Sequence, residues 1–225
     1  MIFPRLLSPS CQGVWLAKTT LLKSEGVDSL DQFISEISEC RGLDLIRGGT
    51  AQKLKTELLG MNLENHSFRE LIGKVYDKVS PFENDDVLNG FRAVQFCIDH
   101  KLVQQGITLL LEFIVTYVLN NVECDQPMDA DFRMAASGAL NLKNIDCFLI
   151  NSELDEDKQR VILAIAKKIF KLPYKNRLTD IFLRLSQHSR NDLNHAGFRE
   201  NPKCAGYFEE RLRRYYEGTI AILKI

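Results

Sequence analysis

One short segment gathers the side chains that could do chemistry. Residues 189–197 read Ser-Arg-Asn-Asp-Leu-Asn-His-Ala-Gly and contain an arginine, two asparagines, an aspartate and a histidine. Imidazole transfers protons near neutral pH, and guanidinium binds phosphate through two parallel hydrogen bonds. The residue types therefore suit phosphodiester chemistry. The polar members of the segment are Arg190, Asn191, Asp192, Asn194 and His195.

The spacing of these residues predicts how many copies of the chain a site needs. On an α-helix, at about 100° per residue, Asn191 and His195 share one face. Arg190 and His195 are five positions apart, so their Cα–Cβ directions diverge by about 140°. One copy makes a poor compact site, whereas two copies facing each other across a two-fold axis make a good one. We therefore expect a homodimer with the motif helices at its interface.

The motif also resembles a known signature. Arg190-Asn191, followed by His195-Ala196-Gly197, resembles the pattern R-(N/D/H)-x-x-x-H of HEPN-domain ribonucleases. A second segment, FCIDHKLVQQGITLL at residues 96–110, is similar to the corresponding helix of CRISPR-associated CARF–HEPN proteins, the ancillary nucleases of type III systems. The resemblance extends from about residue 85 to the C-terminus. It implies an all-α HEPN-type bundle and an antiviral endoribonuclease that cleaves single-stranded RNA.

The resemblance implies a reaction without metal or cofactor. The 2′-hydroxyl of the RNA attacks the adjacent phosphate and leaves a 2′,3′-cyclic phosphate, and the dimer mate completes the site. His195 would act as general base or acid. Arg190 would stabilise the charge that builds on the phosphate, and Asn191 would orient His195 or hold the phosphate. Further candidates for contacting the RNA are Asn194, Arg184 and Lys203.

The chain departs from the CARF–HEPN pattern in its first part. Those proteins carry a Rossmann-like domain that binds cyclic oligoadenylate, whereas helical patterning here begins by about residue 28 with no βαβ alternation before it. We therefore expect cyclic oligoadenylate to act only through a sensor domain that this chain lacks. The chain would be a separated HEPN portion or a standalone relative, such as the toxin of a toxin–antitoxin pair.

Two other readings of the same segment stay open. His188, Asp192 and His195 stand at i, i+4 and i+7, so one helical face could offer three ligands to a divalent ion. Alternatively, the protein is a helical interaction module, or an inactive relative whose polar cluster builds a dimer interface. Cleavage of RNA, tested with and without a chelator, separates the three.

Charge and cysteine usage narrow the class of protein. The net charge is −1, but the segment from Lys167 to Arg214 carries a local balance of +7, as an RNA-binding face would need. The six cysteines show no C-x-x-C spacing, so we expect them to be free thiols. Free thiols are typical of the reducing cytoplasm, and we therefore expect a cytoplasmic protein. The longest apolar run, Ile107 to Leu119, is interrupted by Glu112 and is too short to span a membrane.

Apolar residues recur at helical spacing along the chain, and no alternating strand pattern is present. The sequence therefore predicts an all-α fold, with an N-terminal segment at 1–60 and a HEPN-like domain at 61–225. The most hydrophobic helix, 102–120, is predicted at the centre of the bundle. Glu112 lies inside it, and a buried carboxylate there would need an arginine or lysine partner. The motif is predicted to follow a helix at 178–189.

Overall fold

A computed structural model describes residues 28–61, 69–190, 193, 198, 203–204 and 206–225. Within these ranges the protein is all α-helical and contains no strand, as predicted. The helices of the first half are α1 (Asp28–Ser38), α2 (Gly42–Arg47), α3 (Gly49–Gly60), α4 (Arg69–Val79) and α5 (Leu88–Asp99). Those that follow are α6 (Val103–Asn121), α7 (Ala130–Asn141), a 3₁₀ turn (Ile145–Cys147), α8 (Glu156–Phe170), α9 (Lys175–Leu183), a π-helix (Arg184–Arg190) and α10 (Tyr207–Leu223).

Contacts between Cα atoms divide the chain into two compact units, Met1–Leu109 and Leu110–Ile225. The boundary that the sequence suggested at residue 60 does not coincide with this division, because α3 packs against α4 across it. That boundary, which follows the resemblance to a family, stays a prediction.

In the Met1–Leu109 unit, α1 forms because apolar residues recur at spacings of three and four. Leu30, Phe33 and Ile37 are all buried. The Phe33 ring meets the edges of Phe82 and Phe96 at centroid distances of 5.1 and 5.8 Å. This aromatic cluster fixes α1 against α5 and against the loop between α4 and α5, since edge-to-face pairs of this kind add to the hydrophobic gain of burial.

Most of the apolar side chains of α6 are buried, as predicted. Of the described helices, α6 is the one long and apolar enough to cross a membrane, and 61% of its apolar window is buried inside the protein. Most of this window is therefore packed inside the protein.

Asp129 and Asp155 start α7 and α8 by accepting hydrogen bonds from backbone N–H groups of the first turn. Aspartate is among the residues preferred at this position, because its side chain satisfies backbone N–H groups that have no partner within the helix.

The segment before the motif departs from the predicted α-helix at 178–189. The chain is α-helical to Leu183 and then continues as a π-helix from Arg184 to Arg190. Leu185 and Ser189 are buried in this segment, and the Ser189 hydroxyl donates to the Arg184 carbonyl at 3.4 Å. A π-helix closes its hydrogen bonds over one more residue than an α-helix, and such turns occur frequently at functional sites.

Candidate functional site

A cavity of about 190 Å³ lies beside the end of the π-helix. Residues from α6 and α7 line it together with residues from α9 and the π-helix. They are Leu111, Glu112, Val115, Arg133, Met134, Ser137, Phe182, Ser186 and Arg190. Arg190, the first residue of the predicted motif, thus lines a concave site built by four elements of one unit.

The π-helix positions Arg190. Leu185 is fully buried and Ser189 nearly so, and both face the interior of the unit. Arg190 follows directly and is only half-buried. No described residue forms an ion pair with Arg190, so its guanidinium is available to an anionic ligand as far as the described part of the chain goes.

A second arginine in the cavity wall is held rigidly. Nη2 of Arg133 donates to the Glu112 carboxylate at 2.8 Å and to the Glu112 carbonyl at 3.2 Å. Its Nη1 donates to the Thr116 hydroxyl at 2.9 Å and to the Pro127 carbonyl at 3.3 Å. The Arg133 side chain is 21% exposed and that of Glu112 is 46% exposed. This pair cancels the negative charge of Glu112 at the cavity.

The hydroxyl groups of the cavity complete its polar lining. The Ser186 hydroxyl lies 3.2 Å from the Asn141 side-chain oxygen and 3.3 Å from the Leu183 carbonyl. Ser137 lies on α7 and lines the same cavity. Because Arg133 and Ser186 already donate their hydrogens to protein acceptors, Arg190 and Ser137 are the lining groups that can donate to an oxyanion such as a phosphodiester.

Glu112 partly meets the expectation drawn from the sequence. The predicted basic partner exists and is Arg133. The carboxylate is half-exposed rather than buried, because it lies at the edge of a solvent-accessible cavity. The sequence does not identify Arg133 as this partner, because 21 positions separate it from Glu112 and the two side chains meet only when α7 packs beside α6.

Most of the predicted site residues of the motif fall outside the described residues. Asn191, Asp192, Asn194 and His195 lie there, and the side chain of His188 is not described either. The predicted 140° divergence of Arg190 and His195 and the metal-binding triad therefore stay predictions. Within the described ranges, no three His, Cys, Asp or Glu side chains are grouped so that they could hold a metal ion.

Neither of the two remaining RNA-binding candidates lines the cavity. Arg184 is exposed at the first residue of the π-helix and does not line it. Lys203 is exposed, and its ammonium lies 5.6 Å from the centre of the Tyr207 ring. If either residue contacts RNA, the contact is made on the protein surface and outside the cavity.

One basic residue of the Lys167–Arg214 segment does not contribute to a charged face. Lys175 is 1% exposed, and its ammonium donates to the Leu142 carbonyl and lies 4.0 Å from the centre of the Phe170 ring. Burial lowers the pKa of Lys175. The carbonyl and the ring satisfy the charge internally, which ties the start of α9 to the end of α7.

No family model, curated protein or solved structure matches this chain.

Proposed function

We propose that this chain is a metal-independent endoribonuclease that cleaves single-stranded RNA, with the 2′-hydroxyl of the substrate as nucleophile. The observation that carries the proposal is the placement of Arg190. The first residue of the HEPN-like motif lines a cavity with a second guanidinium, two serine hydroxyls and a carboxylate whose charge is cancelled. The resemblance of Arg190-Asn191 and His195 to the HEPN signature supplies the reaction type.

The cavity suits one phosphodiester group better than a whole nucleotide. Its volume of about 190 Å³ lies below the roughly 300–1,000 Å³ of pockets that enclose a drug-sized ligand. A phosphate bound there would meet Arg190 directly. The bases would remain outside, over the exposed Met134 side chain and the neighbouring surface.

The reaction then needs a proton acceptor and a proton donor. Attack of the 2′-oxygen forms a bond to phosphorus, and the bond from phosphorus to the 5′-oxygen breaks. A base takes the proton of the 2′-hydroxyl and an acid gives one to the departing 5′-oxygen, so one residue in two protonation states, or two residues, suffice. His195 is proposed for this proton transfer, and Arg190 for stabilising the charge on the phosphate.

The cellular setting is part of the same proposal. By the resemblance, the enzyme acts as a homodimer in the cytoplasm, in the RNA-degrading arm of a CRISPR type III defence. A toxin of a toxin–antitoxin pair would use the same chemistry under a different control. Both settings require RNA cleavage, and the cleavage assay therefore comes first.

The test uses end-labelled single-stranded RNA and the full chain, with and without EDTA. Wild type should cleave in both conditions and leave 2′,3′-cyclic phosphate ends. Arg190→Ala and His195→Ala should each lose at least about 100-fold in rate, the usual worth of acid–base or oxyanion stabilisation. Arg177→Ala is the matched control, because Arg177 is an exposed arginine of α9 that does not line the cavity, and it should retain activity.

Three results would count against the proposal. Cleavage that EDTA abolishes would support the metal-binding triad instead. RNA binding without cleavage would support an interaction module. Full activity in His195→Ala would remove that residue from catalysis.

A further inference from the structure

A second cavity lies in the Met1–Leu109 unit, far along the sequence from the motif. Its volume is about 380 Å³, and it is lined by residues of α1, of α2, of the turn between them and of the first turn of α3. The lining is predominantly polar and charged, with glutamine, serine and threonine side chains beside three carboxylates and two guanidinium groups. Nothing in the proposed nuclease chemistry uses it.

Glu36 is the most deeply buried charged residue of this lining, at 6% exposed. One carboxylate oxygen, Oε1, accepts from the Thr50 hydroxyl at 2.5 Å and from the Gln32 amide at 3.2 Å. The other oxygen, Oε2, is buried and has no hydrogen-bond partner among the described residues. A buried carboxyl group with one unsatisfied oxygen is unfavourable on its own, because burial removes the water that would otherwise solvate it.

The other charged groups of the cavity do not compensate Glu36. Arg41 lies 4.0 Å from Glu39, and Arg47 lies 3.8 Å from Asp44. All four of these side chains are at least half-exposed, so they form two loose pairs at the rim that cancel each other in charge. The negative charge of Glu36 is therefore not balanced by either arginine of the lining.

We propose that this cavity binds a small organic cation, bearing a primary ammonium or a guanidinium group, that pairs with Glu36. Such a group brings the missing positive charge and several N–H donors for the unsatisfied carboxylate oxygen. A phosphate-like anion fits less well, because three carboxylates face two guanidinium groups. A divalent metal ion is disfavoured too, since the described residues contain no cluster of three acidic, histidine or cysteine ligands.

The titration behaviour of Glu36 agrees with this assignment. Burial is the main reason that the pKa of Glu36 is raised, and Asp44 adds to the effect while Thr50 and Gln32 oppose it. A bound cation would act in the opposite direction and lower the pKa. Binding should therefore be stronger above the pKa of Glu36 than below it.

The experiment titrates the full chain with n-propylammonium and with methylguanidinium, monitored by the NMR signals of α1 and α3. Neutral n-propanol is the control for shape without charge. A blocked Gly-Lys-Gly peptide distinguishes a free amine from a lysine side chain carried by another protein. Ligands this small bind weakly, so we expect dissociation constants of order 1 mM for the cations and no saturation with propanol.

Two variants of equal charge change test the role of Glu36. Glu36→Gln keeps an acceptor for Thr50 and Gln32 but removes the charge, and it should weaken cation binding at least about tenfold. Glu70→Gln removes an exposed carboxylate of α4 that does not line the cavity, and it should change binding by no more than about twofold. If Glu36→Gln keeps the melting temperature of wild type, any loss of cation binding cannot be attributed to unfolding.

Several outcomes decide the matter. The proposal is supported if the free cations bind wild type and bind Glu36→Gln more weakly. If the peptide binds at least tenfold more tightly than n-propylammonium, the occupant is a lysine side chain of another protein. The proposal is overturned if neither cation binds wild type at about 10 mM, if propanol binds equally, or if Glu36→Gln binds as well as wild type.

Discussion

Arg133 links the stability of the Leu110–Ile225 unit to the electrostatics of the candidate site, and Arg133→Met separates the two roles. Methionine keeps most of the aliphatic stem that packs between α6 and α7. It removes the guanidinium, which donates four hydrogen bonds from its two Nη atoms. Three of the acceptors are neutral, and the fourth is the carboxylate of Glu112.

The expected loss of stability follows from the exposure of each partner. The Glu112 carboxylate is 46% exposed, so water replaces its lost partner, and this bond contributes no more than about 1 kcal/mol. The three bonds to neutral acceptors contribute about 0.5–1.5 kcal/mol each at most, and less where water reaches the freed acceptor. A total of about 2–3 kcal/mol is expected, which lowers the melting temperature by roughly 4–12 °C in a protein of this size.

The assay is urea unfolding of wild type, Arg133→Met, Glu112→Gln and the double variant, with hydrogen exchange in α6 and α7 reporting on the unit that carries the pair. The coupling energy between the two sites should be about 0.5–1 kcal/mol, because the pair is partly exposed. Arg177→Met, at an exposed position, should change stability by less than about 0.5 kcal/mol. A loss below about 0.5 kcal/mol in Arg133→Met would refute the reasoning that these four bonds hold α7 on α6 and on the loop at Pro127.

The same variants test the electrostatic argument. In Arg133→Met the charge of Glu112 is no longer cancelled, and it would repel a phosphate bound at Arg190. RNA affinity should therefore fall, and Glu112→Gln added to Arg133→Met should restore part of it. If the double variant binds RNA no better than Arg133→Met, the loss comes from misplaced structure rather than from charge.

Three further outcomes are expected. The protein should form a two-fold homodimer, and its cleavage rate per chain should rise with protein concentration. A species that light scattering shows to be strictly monomeric at micromolar concentration, and that still cleaved RNA, would contradict this. Cleavage should slow with added salt and should not respond to cyclic tetra- or hexa-adenylate; stimulation of about tenfold would reveal a ligand site in this chain. Burial and the nearby Lys78 lower the pKa of His100 below its ordinary value of 6.5, although Asp99 opposes them. The unfolded chain therefore binds the proton first, and the free energy of unfolding should fall as the pH drops through 6.5. The dependence of this free energy on pH should be weaker in His100→Gln, and an unchanged dependence would assign it to other groups.

The elements that form from local signals were predictable. Leu30, Phe33 and Ile37 recur at helical spacing, and that pattern alone places α1 and its buried face. Asp129 and Asp155 precede helical runs and can accept bonds from the first turn, which is why the starts of α7 and α8 follow from the sequence. These features depend on neighbours within a few residues, and a sequence displays those directly.

The features that depend on packing were not predictable. Lys175 reads as part of a basic surface, and only the arrangement of Leu142 and Phe170 around it shows that it is buried. Glu36 reads as an exposed residue of an amphipathic helix, but the arrival of Thr50 on α3 places it in a cavity wall. Arg133 carries no periodic signal that points to Glu112. In each case the partner comes from a different element.

The π-helix before the motif shows how a local departure changes a site. Phe182, Ser186 and Arg190 line one cavity at successive spacings of four residues. A continuous α-helix would rotate such positions by about 40° at each step, or about 80° from the first to the last. The wider π turn from Arg184 onward rotates each residue by less and offsets that drift, so Arg190 stays in line with Ser186 at the cavity. The 140° predicted between Arg190 and His195 assumed an unbroken α-helix. A π-helix turns by less than about 100° per residue, so five positions on it diverge by less than about 140°, and the need for a second copy of the chain depends on which helix type the motif adopts.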